Sequence, residues 1–229
     1  MARTVVIAGV GPGLGESVAR RFHDEGCSLA LLARTTAVTA DLADELGDDA
    51  IAVACDIADE ADVEDAFATV REAFGPVDVL VNNASAATWD GLLDCSTESF
   101  DHALDVGARG AFLCSTEAVS DMSDAGGGTV IFTGATTSIR GREGAVGFSA
   151  AKFAARGLAE SMARELGPEG IHVAHAVLDG GILPPSDDVD TPEAYLDPDA
   201  IADSYWNLVE QDRSAWTLEL DLRPHVEEF

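Results

Sequence analysis

A glycine-rich stretch near the start of the chain has the composition of a phosphate-binding loop. The apolar residues 5–8 lead into Gly9, Gly11, Gly13 and Gly15, and Leu14 opens an amphipathic pattern. Three of these glycines serve separate purposes: a sharp turn, close approach of the backbone to a phosphate, and packing of a helix on a strand. The N-terminus of that helix directs free N–H groups at an anion. Glycine turns also follow many strands that bind nothing, so the motif needs support from the rest of the chain.

The basic residues are distributed unevenly between arginine and lysine. Twelve are arginines and one, Lys152, is a lysine, against 42 acidic residues. A lysine kept where every other one has been lost is a candidate for a specific chemical role. Chance retention is the alternative.

The overall composition favours a single soluble globular domain. At 229 residues and 47% hydrophobic content, we expect a single domain over residues 1–229 with a sizeable core. No apolar run suits a membrane span or a signal peptide, which predicts a cytoplasmic protein without a membrane partner. Four scattered cysteines lack ligand spacing, so we expect reduced thiols and no metal site.

The net charge of −29 argues against nucleic acid as a partner, because like charges repel. The acidic residues are dispersed instead of forming one tail. Dispersed acidity resembles the surface of halophilic proteins, where high salt screens self-repulsion. An ordinary acidic cytosolic protein is the alternative.

Apolar strands alternate with helical patterns along the whole chain. We predict strands and helices as follows: strands at 5–8, 28–32, 50–54, 77–81, 129–133 and 171–177, long helices near 98–122 and 145–166, a short helix over 201–209 and a last strand over 216–222. Continuous apolar strands separated by helices indicate a parallel sheet covered on both faces. The predicted fold is therefore α/β, a Rossmann-type doubly wound parallel sheet of about seven strands.

A ligand is expected at the carboxyl ends of these strands. The segments that carry candidate residues all follow a strand: 9–15, 33–34, 55–57, 82–85, 133–136 and 178–182. Four prolines and several aspartates lie within residues 178–198, a composition typical of a loop. We predict a lid or substrate loop there, with a spacer without function as the alternative.

These motifs together resemble the short-chain dehydrogenase/reductase family over nearly the whole chain. They are Gly9-x-x-x-Gly13-x-Gly15, Asp56, Asn82-Asn83-Ala84 and Phe148-Ser149-Ala150-Ala151-Lys152. The resemblance implies that the glycines hold a pyrophosphate, that Asp56 and Ile57 flank the adenine, and that Lys152 binds the nicotinamide ribose. The full implied cofactor-binding set is Gly9, Gly11, Gly13, Leu14, Gly15, Arg34, Asp56, Ile57, Asn83, Ala84, Ser85, Lys152, Gly180 and Ile182.

The choice of cofactor depends on the end of the second strand. An Asp there would bind the adenosine ribose and favour NAD(H). This chain has Ala33-Arg34 instead, and a guanidinium suits a 2′-phosphate. We therefore predict NADP(H) in preference to NAD(H). A solvated surface arginine is the alternative.

The catalytic positions depart from the family pattern, in which Tyr-x-x-x-Lys is accompanied by a serine and an asparagine. Phe148 stands at the tyrosine position, Ala135 at the serine position and Gly107 at the asparagine position, so only Lys152 remains. A phenyl ring cannot donate or accept a proton. We favour Thr136 as a replacement donor, because a one-residue shift places it at the serine position. The other hydroxyl candidates are Thr133, Thr137, Ser138, Ser149 and Tyr195, whereas we expect Tyr205, His172 and His175 to be packed.

Three functional hypotheses remain after these departures. The first is an atypical NADP(H)-dependent oxidoreductase acting on a small carbonyl or alcohol substrate. The second is a catalytically silent NADP(H)-binding module, a sensor or a partner subunit, and a non-redox enzyme that uses the bound nucleotide is a third, weaker reading. Because the family pairs subunits through its two long helices, we also expect a homodimer or homotetramer, with Phe112 and Met162 as candidate contacts.

Overall fold

The computed structural model of the protein describes residues 2–186 and 189–227. Its strands and helices, in chain order, are β1 Thr4–Ala8, α1 Leu14–Asp24, β2 Ser28–Ala33, α2 Ala37–Leu46, β3 Ala50–Ala54, α3 Glu60–Phe74, β4 Val79–Asn82, α4 Thr97–Leu104, α5 Ala111–Ala125, β5 Gly128–Thr133, α6 Val146–Leu166, β6 Ile171–Leu178, β7 Gly181–Ile182, β8 Tyr195–Leu196, α7 Pro198–Val209 and β9 Glu219–Leu222.

Seven of these strands form one parallel sheet in the order β3-β2-β1-β4-β5-β6-β9. The strand order reverses direction between β1 and β4. In open sheets of this kind, a crevice for ligands forms at that point, outside the carboxyl ends of the strands. The predicted doubly wound parallel sheet of about seven strands is confirmed.

The sheet is buried between two layers of helices, which explains its continuous apolar strands. Alternate residues of β1 point to opposite faces: Val5 and Ile7 pack with α1, α2 and α7, whereas Val6 and Ala8 face the side of α3, α5 and α6. On the first face, Phe22 of α1 meets Trp206 of α7 edge to face, with ring centroids 5.2 Å apart. Both layers therefore hold the strand ends in a fixed relative position.

The helix predicted as one element near 98–122 is divided into three parts. Between α4 and α5, residues Asp105–Gly110 form a wider π-helical turn that contains Gly107. Gly110 explains the close packing here, because a Cβ on it would lie 2.7 Å from Cγ1 of Ile57. Two glycines lower the helix propensity and permit this local widening, which periodicity alone does not reveal.

The chain between β6 and α7 contains the loop predicted at 178–198. Its two ends are joined by the short parallel pair β7–β8, in which Gly181 pairs with Tyr195 and Ile182 with Leu196. Residues 187 and 188 of the predicted loop lie outside the described residues. The last strand is shorter than predicted, because Trp216 and Thr217 instead bond to Gln211.

Two further expectations concern the whole chain. Within the described residues, no helix is long and apolar enough to span a bilayer. All four cysteines are free thiols, and three of them are buried.

Candidate functional site

A cleft of about 1160 Å³ opens at the carboxyl ends of the strands, across the point where the strand order reverses. Its walls come from segments far apart in the sequence, as expected for a parallel sheet. All of the residues predicted for cofactor binding line it: Gly9, Gly11, Gly13, Leu14, Gly15, Arg34, Asp56, Ile57, Asn83, Ala84, Ser85, Lys152, Gly180 and Ile182. The structure thus brings the whole set together, while the role of each residue remains a prediction.

The glycine loop fits the three purposes proposed from the sequence, with one difference. Gly9 has φ +101°, and a Cβ on it would lie 2.4 Å from the backbone nitrogen of Ala84, so it combines a turn with close packing. Gly15 lets α1 approach the loop, because its Cβ would lie 2.9 Å from the Gly9 carbonyl oxygen. Gly13 has φ +103° but open space around its missing side chain. Glycine at 13 is therefore required by backbone conformation, while the space above it stays available to a ligand.

The start of α1 is suited to an anion. Gly13 is its N-cap and provides no side-chain hydrogen bond to the helix. The first N–H groups of a helix have no partner within the helix, and the dipole makes this end positive. Gly11 also has open space where its side chain would be. The side chain of Asn83 fixes the loop by donating to the Gly9 carbonyl oxygen at 2.7 Å.

Arg34 follows β2 directly and lies on the wall of the cleft. Its guanidinium is exposed and forms no ion pair with any described residue. This is unusual here, because nine of the other eleven arginines pair with carboxylates. Arg34 is therefore free to bind an anion in the cleft.

The cleft fits a nicotinamide dinucleotide on these observations. An uncapped helix N-terminus and two open glycine positions lie where a pyrophosphate would need them, and an unpaired arginine lies beyond the end of β2. Among the described residues, no group of three or more His, Cys, Asp or Glu side chains is placed to hold a metal ion.

Lys152 lies on α6 and lines the same cleft as Arg34, beside β5, three strands along the sheet from β2. Its ammonium is buried and donates to the Thr133 carbonyl oxygen at 2.7 Å. Burial lowers the pKa of Lys152 to about 8, since the charged form loses hydration. The Lys152 ammonium therefore loses its proton closer to neutral pH than an ordinary lysine does.

The three departures from the catalytic pattern take different places. Phe148 and Ala135 line the cleft, and the Phe148 ring centroid is 5.7 Å from Nζ of Lys152. Gly107 lies deeper, in the π-helical turn, beside a small cavity of about 10 Å³ that Lys152 also lines. The aromatic ring thus occupies the part of the cleft where the resemblance places the catalytic hydroxyl.

Thr136 is placed differently from the prediction that it supplies a proton. It is absent from the cleft wall, and its hydroxyl donates to Oδ1 of Asp179 at 2.7 Å. Arg140 donates to the same carboxylate at 3.1 Å, and Arg223 lies 3.4 Å away. Asp179 is almost fully buried, so its charge needs these partners, and Thr136 is engaged with them. Sequence analysis missed this cluster, although an aspartate directly after an apolar strand was a signal for it.

Of the other hydroxyl candidates, Thr133 lines the cleft, whereas Thr137, Ser138 and Ser149 do not. Tyr205 is fully buried, as expected, and donates to Oγ1 of Thr133 at 3.0 Å. His172 and His175 are buried in β6, and burial lowers the pKa of both. Tyr195, on β8, does not line the cleft.

An arrangement of rings and cations missed by sequence analysis runs from Lys152 to the surface. The rings of Phe148 and Trp89 are 5.5 Å apart, and the guanidinium of Arg142 lies 4.9 Å from the centre of the Trp89 ring. Together with Lys152 beneath Phe148, these four residues form what we call the aromatic column. Trp89 is 58% exposed. An aromatic residue in a loop was the only feature of the sequence that pointed to it. His102 also was not singled out from the sequence, and it lines the cleft.

Comparison with known proteins agrees with this geometry. A 3α-hydroxysteroid dehydrogenase of Mediterraneibacter gnavus is 32% identical over 176 residues, which cover 75% of this chain and 70% of that protein. The structure of a Thermococcus sibiricus alcohol dehydrogenase complexed with 5-hydroxy-NADP matches with a TM-score of 0.90 and 26% identity, covering 100% of this chain and 99% of the other.

A second solved structure gives the same result. It is a 3-ketoacyl-(acyl-carrier-protein) reductase from Brucella melitensis complexed with NADH, with a TM-score of 0.87, 27% identity and 97% of each chain covered. These similarities support a nicotinamide dinucleotide as the cofactor. The model of the short chain dehydrogenase family matches residues 3–187. The chain belongs to the short-chain dehydrogenase family, whose members are NAD(P)-dependent oxidoreductases.

Proposed function

We propose that the protein is an NADP(H)-dependent oxidoreductase that acts on a small carbonyl or alcohol substrate, with a catalytic apparatus that lacks the usual hydroxyl. The observation that carries the preference for NADP(H) is the unpaired guanidinium of Arg34 on the cleft wall. A planar guanidinium binds a phosphate with two charge-assisted hydrogen bonds. The reduced cofactor, when bound, supplies the hydride.

The residues of the chain then hold the reactants and handle the proton. The glycine loop and the start of α1 bind the pyrophosphate, and Lys152 holds the nicotinamide end over β5. Reduction of a carbonyl needs one proton at the carbonyl oxygen in addition to the hydride. With Thr136 engaged by Asp179, we assign that proton to the Lys152 ammonium, whose pKa of about 8 suits transfer near neutral pH.

The test of this cofactor preference is a titration of NADPH and NADH against wild type and Arg34→Asp. The aspartate removes a phosphate contact and adds repulsion, so we expect the ratio of the NADPH to NADH dissociation constants to shift at least tenfold toward NADH. Arg164→Asp is the matched control, since Arg164 is an exposed arginine near the far end of α6. A wild type that already prefers NADH would contradict the proposal.

A silent NADP(H)-binding module is the second candidate, and the absence of the usual polar side chains at 107, 135 and 148 favours it. The two candidates differ in turnover. NADPH consumption with a panel of aldehydes and ketones, measured alongside NADPH binding, separates an enzyme from a protein that only binds the cofactor. For the cellular location we keep the cytoplasm, which is supported by four cysteines that form no disulfide.

A further inference from the structure

A second unpaired arginine is Arg142, which lies at the outer end of the aromatic column and is not among the residues that line the cleft. Of the twelve arginines, only Arg34, Arg142 and Arg213 form no ion pair with any described residue, and Arg213 bonds to the Gly126 carbonyl instead. In a chain with 42 acidic residues, an arginine without a carboxylate partner is exceptional. Arg34 lies on the cleft wall, whereas Arg142 is connected to the cleft through Trp89 and Phe148, of which Phe148 lines it.

Arg142 is held in place by its surroundings and leaves its guanidinium free. Its backbone N–H donates to Oγ of Ser149 at 3.2 Å, which ties the loop to the first turn of α6. The side chain packs over the exposed face of Trp89 at 4.9 Å from the ring centre. A guanidinium stacked on an indole keeps its edge, and therefore its hydrogen-bond donors, available to solvent.

The aromatic column leads from that guanidinium to the reacting end of the cleft. Trp89 contacts Phe148, and Phe148 lies over Lys152. Aromatic side chains bind planar apolar groups with large contact areas and little loss of side-chain entropy. A compound that reaches Lys152 with its carbonyl group would place its apolar body against Phe148 and Trp89 and its far end beside Arg142.

From these contacts, and resting on the proposed function, we infer that the substrate is an aryl or similarly planar carbonyl compound that carries a carboxylate, which Arg142 binds. The carboxylate matches the donors of the guanidinium in geometry and charge. The acidic surface elsewhere repels such an anion, so the unpaired guanidinium of Arg142 provides local positive charge for it at the outer end of the aromatic column. Phe148 then contributes to substrate binding, although it cannot replace the catalytic tyrosine of the family.

The experiment uses two probes that differ in charge and by one methyl group, 4-formylbenzoate and its methyl ester. Binding to the NADP⁺-loaded protein is measured by calorimetry, and turnover by NADPH consumption, in wild type, Arg142→Gln, Trp89→Leu and the control Arg164→Gln. We expect wild type to bind the acid about tenfold more tightly than the ester, as for an exposed charge-assisted pair. Arg142→Gln should abolish that preference by weakening only the acid, whereas Arg164→Gln should preserve it and Trp89→Leu should weaken both.

The outcomes separate this inference from the function on which it rests. If neither probe binds to protein that binds NADPH normally, or if wild type does not distinguish them, the inference is wrong and the cofactor assignment stands. If Arg142→Gln weakens acid and ester equally, Arg142 only supports Trp89, and the inference is again wrong. If wild type fails to bind NADPH at all, the proposed function itself has failed.

Discussion

At the scale of single residues, the chemistry depends on Phe148 and Lys152. The ring of Phe148 carries no acidic proton, and its centre lies 5.7 Å from Nζ of Lys152. A hydroxyl added to this ring would extend into the cleft that both residues line. A neighbouring ammonium favours the phenolate and so lowers the pKa of a phenol.

Phe148→Tyr is therefore expected to increase the rate of carbonyl reduction above that of wild type, because wild type lacks the phenolic proton donor. General acid catalysis is typically worth about 10²–10⁴ in rate, which sets the upper bound of the gain. The measurement is NADPH consumption by Phe148→Tyr and by the double variant with Ala135→Ser. We omit Gly107→Asn, because a Cβ at Gly107 would lie 2.9 Å from Cβ of Ala151.

The matched control for this change is Phe153→Tyr, which adds the same hydroxyl to an exposed ring on the same helix. It should leave the rate unchanged. Unaltered turnover in both cleft variants, with NADPH binding intact, would contradict the expectation. A wild type that is already fast would indicate that Lys152 or another group supplies the proton efficiently.

Lys152 should also make stability depend on pH, because its pKa is about 8 in the folded protein against 10.5, the ordinary value of a lysine, in the unfolded chain. The unfolded chain therefore binds the proton more tightly. Below pH 8 both states are protonated, and burial costs up to about 3 kcal/mol, at 1.36 kcal/mol per pKa unit. Between pH 8 and 10.5 this cost disappears, so the contribution of Lys152 to stability rises with pH.

Lys152→Met removes this titration while keeping an apolar stem. We expect the stability of the variant relative to wild type to fall by about 3 kcal/mol as the pH rises from 7 to 10.5. Loss of the bond to Thr133 adds an offset that does not depend on pH. Urea unfolding across this range measures the difference, and Arg164→Gln serves as a control whose difference should stay constant. A difference for Lys152→Met that is equally constant would show that the lysine is not buried as described.

At the scale of elements, the glycine loop and the start of α1 form the part of the site that was easiest to predict. Their signal is local: apolar strand, spaced glycines, amphipathic helix. Gly11 offers the clearest test of this element. It lacks the positive φ of Gly9 and Gly13, and a Cβ on it meets no atom within 4 Å.

Gly11→Val should therefore fold normally and yet obstruct the cleft. We expect the NADPH dissociation constant to rise more than tenfold, with the circular dichroism spectrum and the melting temperature close to those of wild type. Gly47→Val would not serve as a control, since Gly47 has φ +81°. Gly141→Val is suitable, because it too has open space without a positive φ and lies outside the cleft wall. Unchanged NADPH affinity in Gly11→Val would remove the phosphate-loop interpretation.

The parallel sheet and the grouping of the cofactor residues at one edge could be predicted because the carboxyl ends of parallel strands converge by topology. Residues as distant as Gly9, Asp56 and Gly180 line one cleft once the sheet is parallel. What could not be predicted depends on where side chains point. Thr136 is one residue from the expected position, yet its hydroxyl faces the buried Asp179. The π-helical turn at Asp105–Gly110 and the stacking of Arg142 on Trp89 likewise arise from tertiary packing that sequence periodicity does not encode.

At the scale of the whole molecule, several large apolar side chains are left exposed. Leu93 is 97% exposed, Phe112 on α5 is 52% exposed and Phe153 on α6 is 44% exposed. Met162, the other residue predicted as a contact, is instead partly buried against the core. Exposed apolar surface on two long helices is consistent with a subunit interface, and the predicted homodimer or homotetramer remains to be tested.

We expect wild type to sediment as a dimer or tetramer in molar potassium chloride, where repulsion between acidic subunits is screened. Phe112→Glu combined with Phe153→Glu should shift it to a monomer, because two charges would be buried without partners. Val38→Glu is the control, since Val38 is 51% exposed but lies on α2 at the cleft. A wild type that sediments as a monomer would rule out the assembly.

The charge of the molecule is the property that its surroundings control most directly. The net charge is −29, and nine of the arginines already form ion pairs. Most of the described carboxylates therefore have no cationic partner. Repulsion between exposed charges weakens as salt shortens the Debye length from about 30 Å at 0.01 M to about 3 Å at 1 M. Folding brings these charges together, so low salt should destabilise the folded state.

We therefore expect the melting temperature to rise by roughly 5–10 °C between tens of millimolar and molar potassium chloride, equivalent to about 2–3 kcal/mol for a chain of this size. High salt can also strengthen apolar burial, so the charge effect needs its own control. Asp48→Asn with Asp49→Asn removes two exposed carboxylates from the turn after α2, neither of which pairs with a cation of the described residues. If repulsion is the cause, this variant gains stability at low salt and loses that gain at high salt. A melting temperature that is flat or higher at low salt, or a variant whose gain is the same at both salt concentrations, would exclude salt adaptation as the reason for the acidic surface.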